Sequence, residues 1–193
     1  KIKQVVNPRK GEIMFGLNLV VHKGKTIFVA DTSVHEYPNS EQMSEIAISA
    51  ARVVRLFGFD PKVAFVSHST FGQPVTSRTK HIKEAVNILK EKAVDFEFDG
   101  DMQPDVALNI EYKDLYPFSK IVGNANVLIM PGQHSAAISY KMMKELGDTK
   151  VIGPLLIGLG LPIEIAPLRT STSELINLAS IAAYSADVID YKK

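Results

Sequence analysis

Residues 13–30 hold two apolar runs, IMFGLNLVV and TIFVA, separated by HKGK. Gly24 in that gap suits a tight turn, so the pair predicts a β-hairpin. Residues 31–38 read as loop. Asn39 or Ser40 is placed to cap a helix, with Glu41 and Gln42 in its first turn. Ile46, Ala50, Val53, Val54 and Phe57 then recur at helical spacing up to Gly58, a suitable C′ residue. VAFV at 63–66 predicts a buried strand, followed by the polar loop SHSTFGQP. A helix over 76–92 turns Ile82, Val86 and Leu89 inward. DFEFDG at 95–100 alternates as a strand does. MQPDVALN at 102–109 predicts a short helix, and Pro117 and Gly123 punctuate the segment after it. NVLIM at 126–130 is the next strand, PGQHSAA a loop, and 135–146 a helix closed by Gly147. VIGPLLIGL reads as a strand interrupted at Gly153 and Pro154. IEIA at 163–166 is a short strand. The last helix spans 171–188, with Leu175, Leu178, Ile181, Ala182 and Val188 as its apolar positions.

Strands alternating with helices imply parallel pairing, and the initial hairpin adds an antiparallel element. The expected class is α/β, with a mixed, mostly parallel sheet flanked by helices. No linker rich in Gly, Pro or Ser breaks the chain, so residues 1–193 read as one unit. At this size about 70% of the unfolded surface can be buried, and a core needs no staples. Cysteine is absent, which excludes disulfides and thiolate nucleophiles and favours a reducing, cytoplasmic setting. The net charge of +1 argues against nucleic-acid binding through a broad basic face but leaves room for a local anion pocket. No run approaches the roughly 20 apolar residues of a membrane span. The chain starts without Met, as a piece of a longer polypeptide would.

In open α/β sheets ligands sit beyond the carboxyl ends of the strands. Two similar units, VAFVSHSTFG and VLIMPGQHSA, place small polar residues there. Ser67, Ser69, Thr70 and Gly72 offer hydroxyls and backbone N–H groups to a phosphate or amide; a loop with a helix cap is the competing reading. Gly132, Gln133 and Ser135 repeat the pattern. His134 lacks a nearby acid in sequence to orient it as a base. Gly153 and Pro154 mark a strand break where a ligand approaches backbone. Arg169, Thr170 and Ser171, in IEIAPLRTSTSEL, join a guanidinium to a helix N-terminus, a common anion site. Asn109, Asn124 and Asn126 are weaker candidates. The acidic run DFEFDGDMQPD has no EF-hand spacing, and a solvated strand face competes with a cation site; Asp99 and Asp101 are its better candidates. The five histidines lack zinc spacing, and neither a P-loop, a GxGxxG nor a GxSxG is present, so no metal site is assigned.

The series ADTSVHEYPNSEQMSEIAI, VAFVSHSTFG, VDFEFDGDMQPDVALN, GNANVLIMPGQHSAAISYK and VIGPLLIGL resembles the C-terminal part of a phosphotransacetylase (phosphate acetyltransferase) domain. LYPFSKIVGNANVLIMP, HSAAIS and PLRTSTSELINLASIAAY are most similar to the version fused to bacterial NADP-dependent malic enzymes. The resemblance implies an isocitrate/isopropylmalate dehydrogenase-like α/β architecture, dimerisation or higher self-association, and acetyl-CoA or a related small anion as ligand. It implies that no cofactor is held by this domain; NADP and a divalent metal belong to the malate-oxidising region, which this chain does not contain.

True phosphotransacetylases use a Ser-Arg-Gly run and a nearby aspartate. Aligned through the last helix, the run falls on Pro167, Leu168 and Arg169, and the aspartate on Glu174. Acetyl transfer past a phosphate dianion needs a fixed cation and an oxyanion donor. Pro167 has neither hydroxyl nor N–H, Leu168 has no charge, and Arg169 stands one place late. Losing one oxyanion donor alone costs ~3–4 kcal/mol of barrier. The expectation is a domain that senses acetyl-CoA, helps oligomerise and does not itself catalyse. The alternative is an active phosphate acetyltransferase using Arg169 and Glu174.

Overall fold

The computed structural model describes Ile2 and residues 5–188. The hairpin forms as β1, Phe15–His22, and β2, Lys25–Ala30, with His22 paired to Lys25 across the turn. Lys23 and Gly24 both adopt positive φ, 47° and 76°, the conformation of a type I′ turn whose twist matches the strands. Helix α1, Ser40–Leu56, starts on a capping box in which Asn39 Oδ1 accepts from Gln42 N and Gln42 Oε1 accepts from Asn39 N. Gly58 follows its end at φ +81°. Strand β3, Lys62–Val66, leads to α2, Ser77–Glu91, which is capped by Thr76. Strand β4, Glu97–Met102, leads to α3, Pro104–Leu108, and to a 3-10 segment at Ile110–Leu115. Strand β5, Val127–Ile129, helix α4, Gln133–Leu146, strand β6, Thr149–Ile157, strand β7, Ile163–Glu164, and helix α5, Thr172–Val188, complete the chain.

The seven strands make one sheet in the order β4-β3-β5-β2-β1-β6-β7. The β4-β3-β5-β2 block is parallel, as strand–helix alternation requires, whereas β2-β1, β1-β6 and β6-β7 are antiparallel. The antiparallel share exceeds what the alternation suggested, because β6 returns beside the hairpin instead of extending the parallel block. The fold remains a mixed α/β layer. Helices α1 and α2 pack Met43, Ile46, Ala50, Val54, Ile82 and Leu89 against Phe15, Leu17, Phe28 and Phe65 on one face. Helices α3 and α4 cover Val20, Val29, Ala64 and Leu128 on the other, through Ala107 and Ala136. Both faces are covered, which is why the strands read as continuous apolar runs.

Two boundaries shift for identifiable reasons. Strand β4 begins at Glu97, paired with Lys62, and Asp95 lies before it, held by Arg55 Nη1 at 3.0 Å. Gly153 and Pro154 do not end a strand. They form a bulge in β6, where the register steps from Leu17↔Leu155 to Leu19↔Ile152. Gly153 sits at φ +119°, and a Cβ there would come within 2.8 Å of Leu17 O. Among the described residues, no helix is long and apolar enough to cross a membrane.

Candidate functional site

The hydroxyls of residues 67–72 face inward. Ser67, Ser69 and Thr70 are buried. Ser69 Oγ donates to the Asp101 carboxylate, Gly72 N donates to Asp101 Oδ1 at 3.0 Å, and Phe71 N donates to Asp101 O at 2.6 Å. Gln103 N donates to Thr70 Oγ1 at 3.3 Å. The loop is thus lashed to the end of β4. Asp99 is buried too, and accepts from Gly100 N at 3.0 Å and Lys120 N at 2.8 Å. At Asp99 and Asp101 the acidic run is therefore a set of internal acceptors, not a solvated face. Buried carboxylates are stable only when they are hydrogen-bonded in this way.

At the end of β5, Gly132 begins α4 without a side-chain cap. A Cβ there would lie 2.2 Å from Glu36 O, so the close passage of the 31–38 loop demands glycine. Gln133 N donates to His35 O at 3.0 Å, and Ser135 Oγ donates to Gly132 O at 2.8 Å. His134 is exposed and reaches the Glu36 carboxylate only at 4.0 Å. Asn126 bridges chain segments, accepting from Lys62 N at 2.7 Å and donating to Asp60 O at 2.7 Å. Asn109 Oδ1 accepts from Glu111 N at 3.1 Å, and Asn124 Oδ1 is buried without a partner.

Sequence reasoning passed over the residue that organises this end of the sheet. Asp31 is wholly buried, and its carboxylate accepts from Gly16 N at 2.8 Å, Ser33 N at 2.8 Å, Val34 N at 3.1 Å and His35 N at 2.7 Å. His35 Nδ1 lies 2.7 Å from the same group. Burial pushes the carboxyl up, but the His35 ring and the backbone donors outweigh it and hold it below the usual aspartate range. An aspartate just past a strand end, followed by TSVH with a histidine four residues on, is the sequence signal that could have found it.

Several of the later candidates gather around one cavity. A pocket of about 280 Å³ lies between α4, β6 and the start of α5. Gly153, Pro154, Arg169, Thr170 and Glu174 line it, beside Tyr140, Lys141 and Lys144, with Val151 and Leu178 as apolar floor. The 67–72 loop and Gly132, Gln133 and Ser135 do not line it. A turn at its mouth is closed by Thr170 N donating to Pro167 O at 3.0 Å, which leaves Leu168 fully exposed at the tip. Ser171 caps α5. Its N and Oγ donate to Glu174 Oε2 at 2.7 and 2.8 Å, while Glu174 N donates back to Ser171 Oγ at 3.3 Å. Lys144 Nζ reaches Glu174 Oε1 at 3.2 Å. The Ser171 amide first, then its hydroxyl and Lys144, pull the Glu174 carboxyl down to about 2.

The profile of the phosphate acetyl/butaryl transferase family matches residues 1–183. The chain belongs to that family. The NADP-dependent malic enzyme of Rhizobium meliloti is 46% identical over 96% of this chain, which spans 24% of that protein. The phosphate acetyltransferase of Bacillus subtilis is 32% identical over 95% of this chain, which spans 57% of it. A phosphotransacetylase from Streptococcus pyogenes superposes with a TM-score of 0.88 at 29% identity, covering 95% of this chain and 57% of that one. The sequence thus matches a C-terminal-type phosphate acetyltransferase unit that also occurs within much longer malic enzymes.

Proposed function

We propose that this chain is an acetyl-CoA-sensing regulatory and oligomerisation domain of a cytoplasmic NADP-dependent malic enzyme, without acyl-transfer activity of its own. Malate decarboxylation, with its NADP and divalent metal, belongs to another region of the longer polypeptide. The observation that carries the reading is the state of Glu174. Its carboxylate is committed to capping α5 through Ser171 and to the ion pair with Lys144, so it is not held ready to take the proton of a thiol. Pro167 and Leu168 supply neither the hydroxyl nor the guanidinium that acetyl transfer to phosphate requires. What remains is suited to holding an anion: Lys141, Lys144 and Arg169 around an apolar floor.

Self-association is part of the proposal. Ile138, Met142 and Leu146 of α4 form an exposed apolar row at four-residue spacing, and Leu175 and Ile176 are exposed on α5. Acetyl-CoA would bind the two arrangements of the assembly unequally and so lower malate decarboxylation; coupling of ~1–3 kcal/mol suffices for several-fold to 100-fold regulation.

The test is a titration of the full-length polypeptide with acetyl-CoA, following melting temperature and malate decarboxylation. Protection together with inhibition is expected, and ligand at 100 times its Kd adds ~2.7 kcal/mol. No protection at millimolar ligand would sink the sensor. The second reading, an active phosphate acetyltransferase, draws on Arg169, which lines the same cavity as Glu174. A coupled acetyl phosphate assay separates the two: turnover that disappears in Arg169→Ala selects the enzyme.

A further inference from the structure

Two cavities flank α5. The one under its C-terminal half, about 260 Å³, is mainly apolar and holds Glu164 in its wall, with Oε2 buried and without a partner. The one at its head, beside Arg169, is ringed by charge. Lys141, Lys144 and Arg169 line it, but so do two acids, Glu145 and Glu174. Among the described residues, Lys144 and Glu174 pair with each other, and Lys141, Glu145 and Arg169 have no ion-pair partner. Both oxygens of Glu174 are engaged. Oε1 lies 3.2 Å from Lys144 Nζ, and Oε2 accepts from Ser171 N at 2.7 Å and from Ser171 Oγ at 2.8 Å. Among the described residues no other hydrogen bond or ion pair joins α4 to α5. The Lys144 and Glu174 side chains are 46% and 32% exposed, so water reaches the pair and its partners can be exchanged.

A carboxylate in a pocket suited to anions works against the ligand twice. It repels the incoming charge, and it holds an ammonium group that the ligand would use. We propose that Glu174 is an internal competitor for Lys144, which sets the threshold a ligand must pass and so selects phosphate-bearing anions over simple carboxylates. A monocarboxylate replaces one carboxylate with another and gains nothing. A phosphate monoester carries about −1.5 to −2 charges near neutral pH and offers more acceptor oxygens, so it wins the exchange. The displaced group is not left stranded: Ser171 still donates to Oε2, and Oε1 turns to water. Because the pair is partly exposed, the threshold amounts to a few-fold in affinity and does not close the site. The inference rests on the reading of this cavity as an anion site and adds the group that tunes it.

Calorimetric titration of the full-length polypeptide with acetyl-CoA, inorganic pyrophosphate and propanoate tests the proposal. The parent, Glu174→Gln, Lys144→Met and the double variant form a cycle. Glutamine serves in capping boxes as glutamate does, so Glu174→Gln removes the charge and keeps the turn at Ser171. It should tighten acetyl-CoA and pyrophosphate at least about threefold. In the Lys144→Met background the same substitution should change affinity by less than about 1.5-fold, since the contested ammonium is gone. Propanoate should give no saturable heat with the parent. The proposal is overturned if Glu174→Gln leaves pyrophosphate affinity unchanged or weaker, or if propanoate binds the parent as tightly as pyrophosphate. Equal tightening with and without Lys144 overturns it too, because that is the mark of plain charge removal. Pyrophosphate that follows the cycle while acetyl-CoA gives no heat sustains the competitor and refutes the acetyl-CoA reading. Acetyl-CoA binding without the cycle does the reverse, and if neither probe binds any of the proteins both fall.

Discussion

Replacing Glu164 with Gln removes an ionisable group from a buried wall, and the sign of the stability effect follows from the site. Burial raises the carboxyl from 4.5 to about 8, against the Leu156 N–H, which pulls it down. At neutral pH the folded protein therefore retains a proton that the unfolded chain releases. Retaining it from the ordinary glutamate value up to pH 7 corresponds to ~3.4 kcal/mol at ~1.36 kcal/mol per unit. Glu164 is not sealed from water, and screening reduces the figure to about 1–2 kcal/mol. The penalty is absent at pH values below the unfolded glutamate range, grows as pH rises through that window, and levels off above about 8. Glutamine carries no such penalty. Glu164→Gln should match the parent protein near pH 4 and exceed it by ~1–2 kcal/mol near pH 7, with a melting rise of about 2–4 °C per kcal/mol. Urea unfolding of both proteins across this pH range is the assay. A difference that stays flat with pH would refute the reasoning, because it would mean that Glu164 titrates as an ordinary solvated carboxyl.

Three further outcomes follow from the packing. Asp31→Asn keeps the shape but removes the charge that receives four backbone N–H groups, and should cost about 2–4 kcal/mol near pH 7 in denaturant unfolding. Because the folded Asp31 carboxyl lies below its unfolded value, that stability is present above the unfolded aspartate range and disappears as pH falls through the folded one; the gap between the two proteins should close in acid. Gly132→Ala drives a methyl against Glu36 O, and melting curves should show a loss of about 1–3 kcal/mol through displacement of the 31–38 loop. Arg169→Ala removes one of three cations around the first cavity, and should weaken acetyl-CoA protection about tenfold with little change in the melting temperature of the unliganded protein.

Local chemistry was legible in the chain to the extent that it is carried by neighbours in sequence. Gly24 in HKGK announced the hairpin turn, Asn39 and Gln42 announced the start of α1, and the spacing of Ile46, Ala50 and Val54 announced which face it buries. Gly153 and Pro154 were visible as an irregularity, but its kind was not. Whether a Gly-Pro pair stops a strand or bulges it depends on β1, which lies more than a hundred residues earlier. The polar loops lie at the carboxyl ends of strands, where the strand–loop–helix pattern put them. That Ser69 donates to Asp101, thirty-two residues away, is a contact no local pattern records.

The sequence by itself determined most of the elements, the cap of α1, the α/β class and the family, because periodicity, turn residues and motif order act over a few residues and need no partner. Only the tertiary structure decided which carboxyls are internal acceptors, which serve as caps and which are stranded. Asp31, Asp101, Glu174 and Glu164 look alike as letters; one is enclosed by amides, one lashes a loop, one caps α5 and one holds a proton beside an apolar cavity. The difference is set by how many donors the rest of the chain brings to each oxygen and how much water it removes. Both are properties of contacts between distant segments, and local pattern carries no record of them.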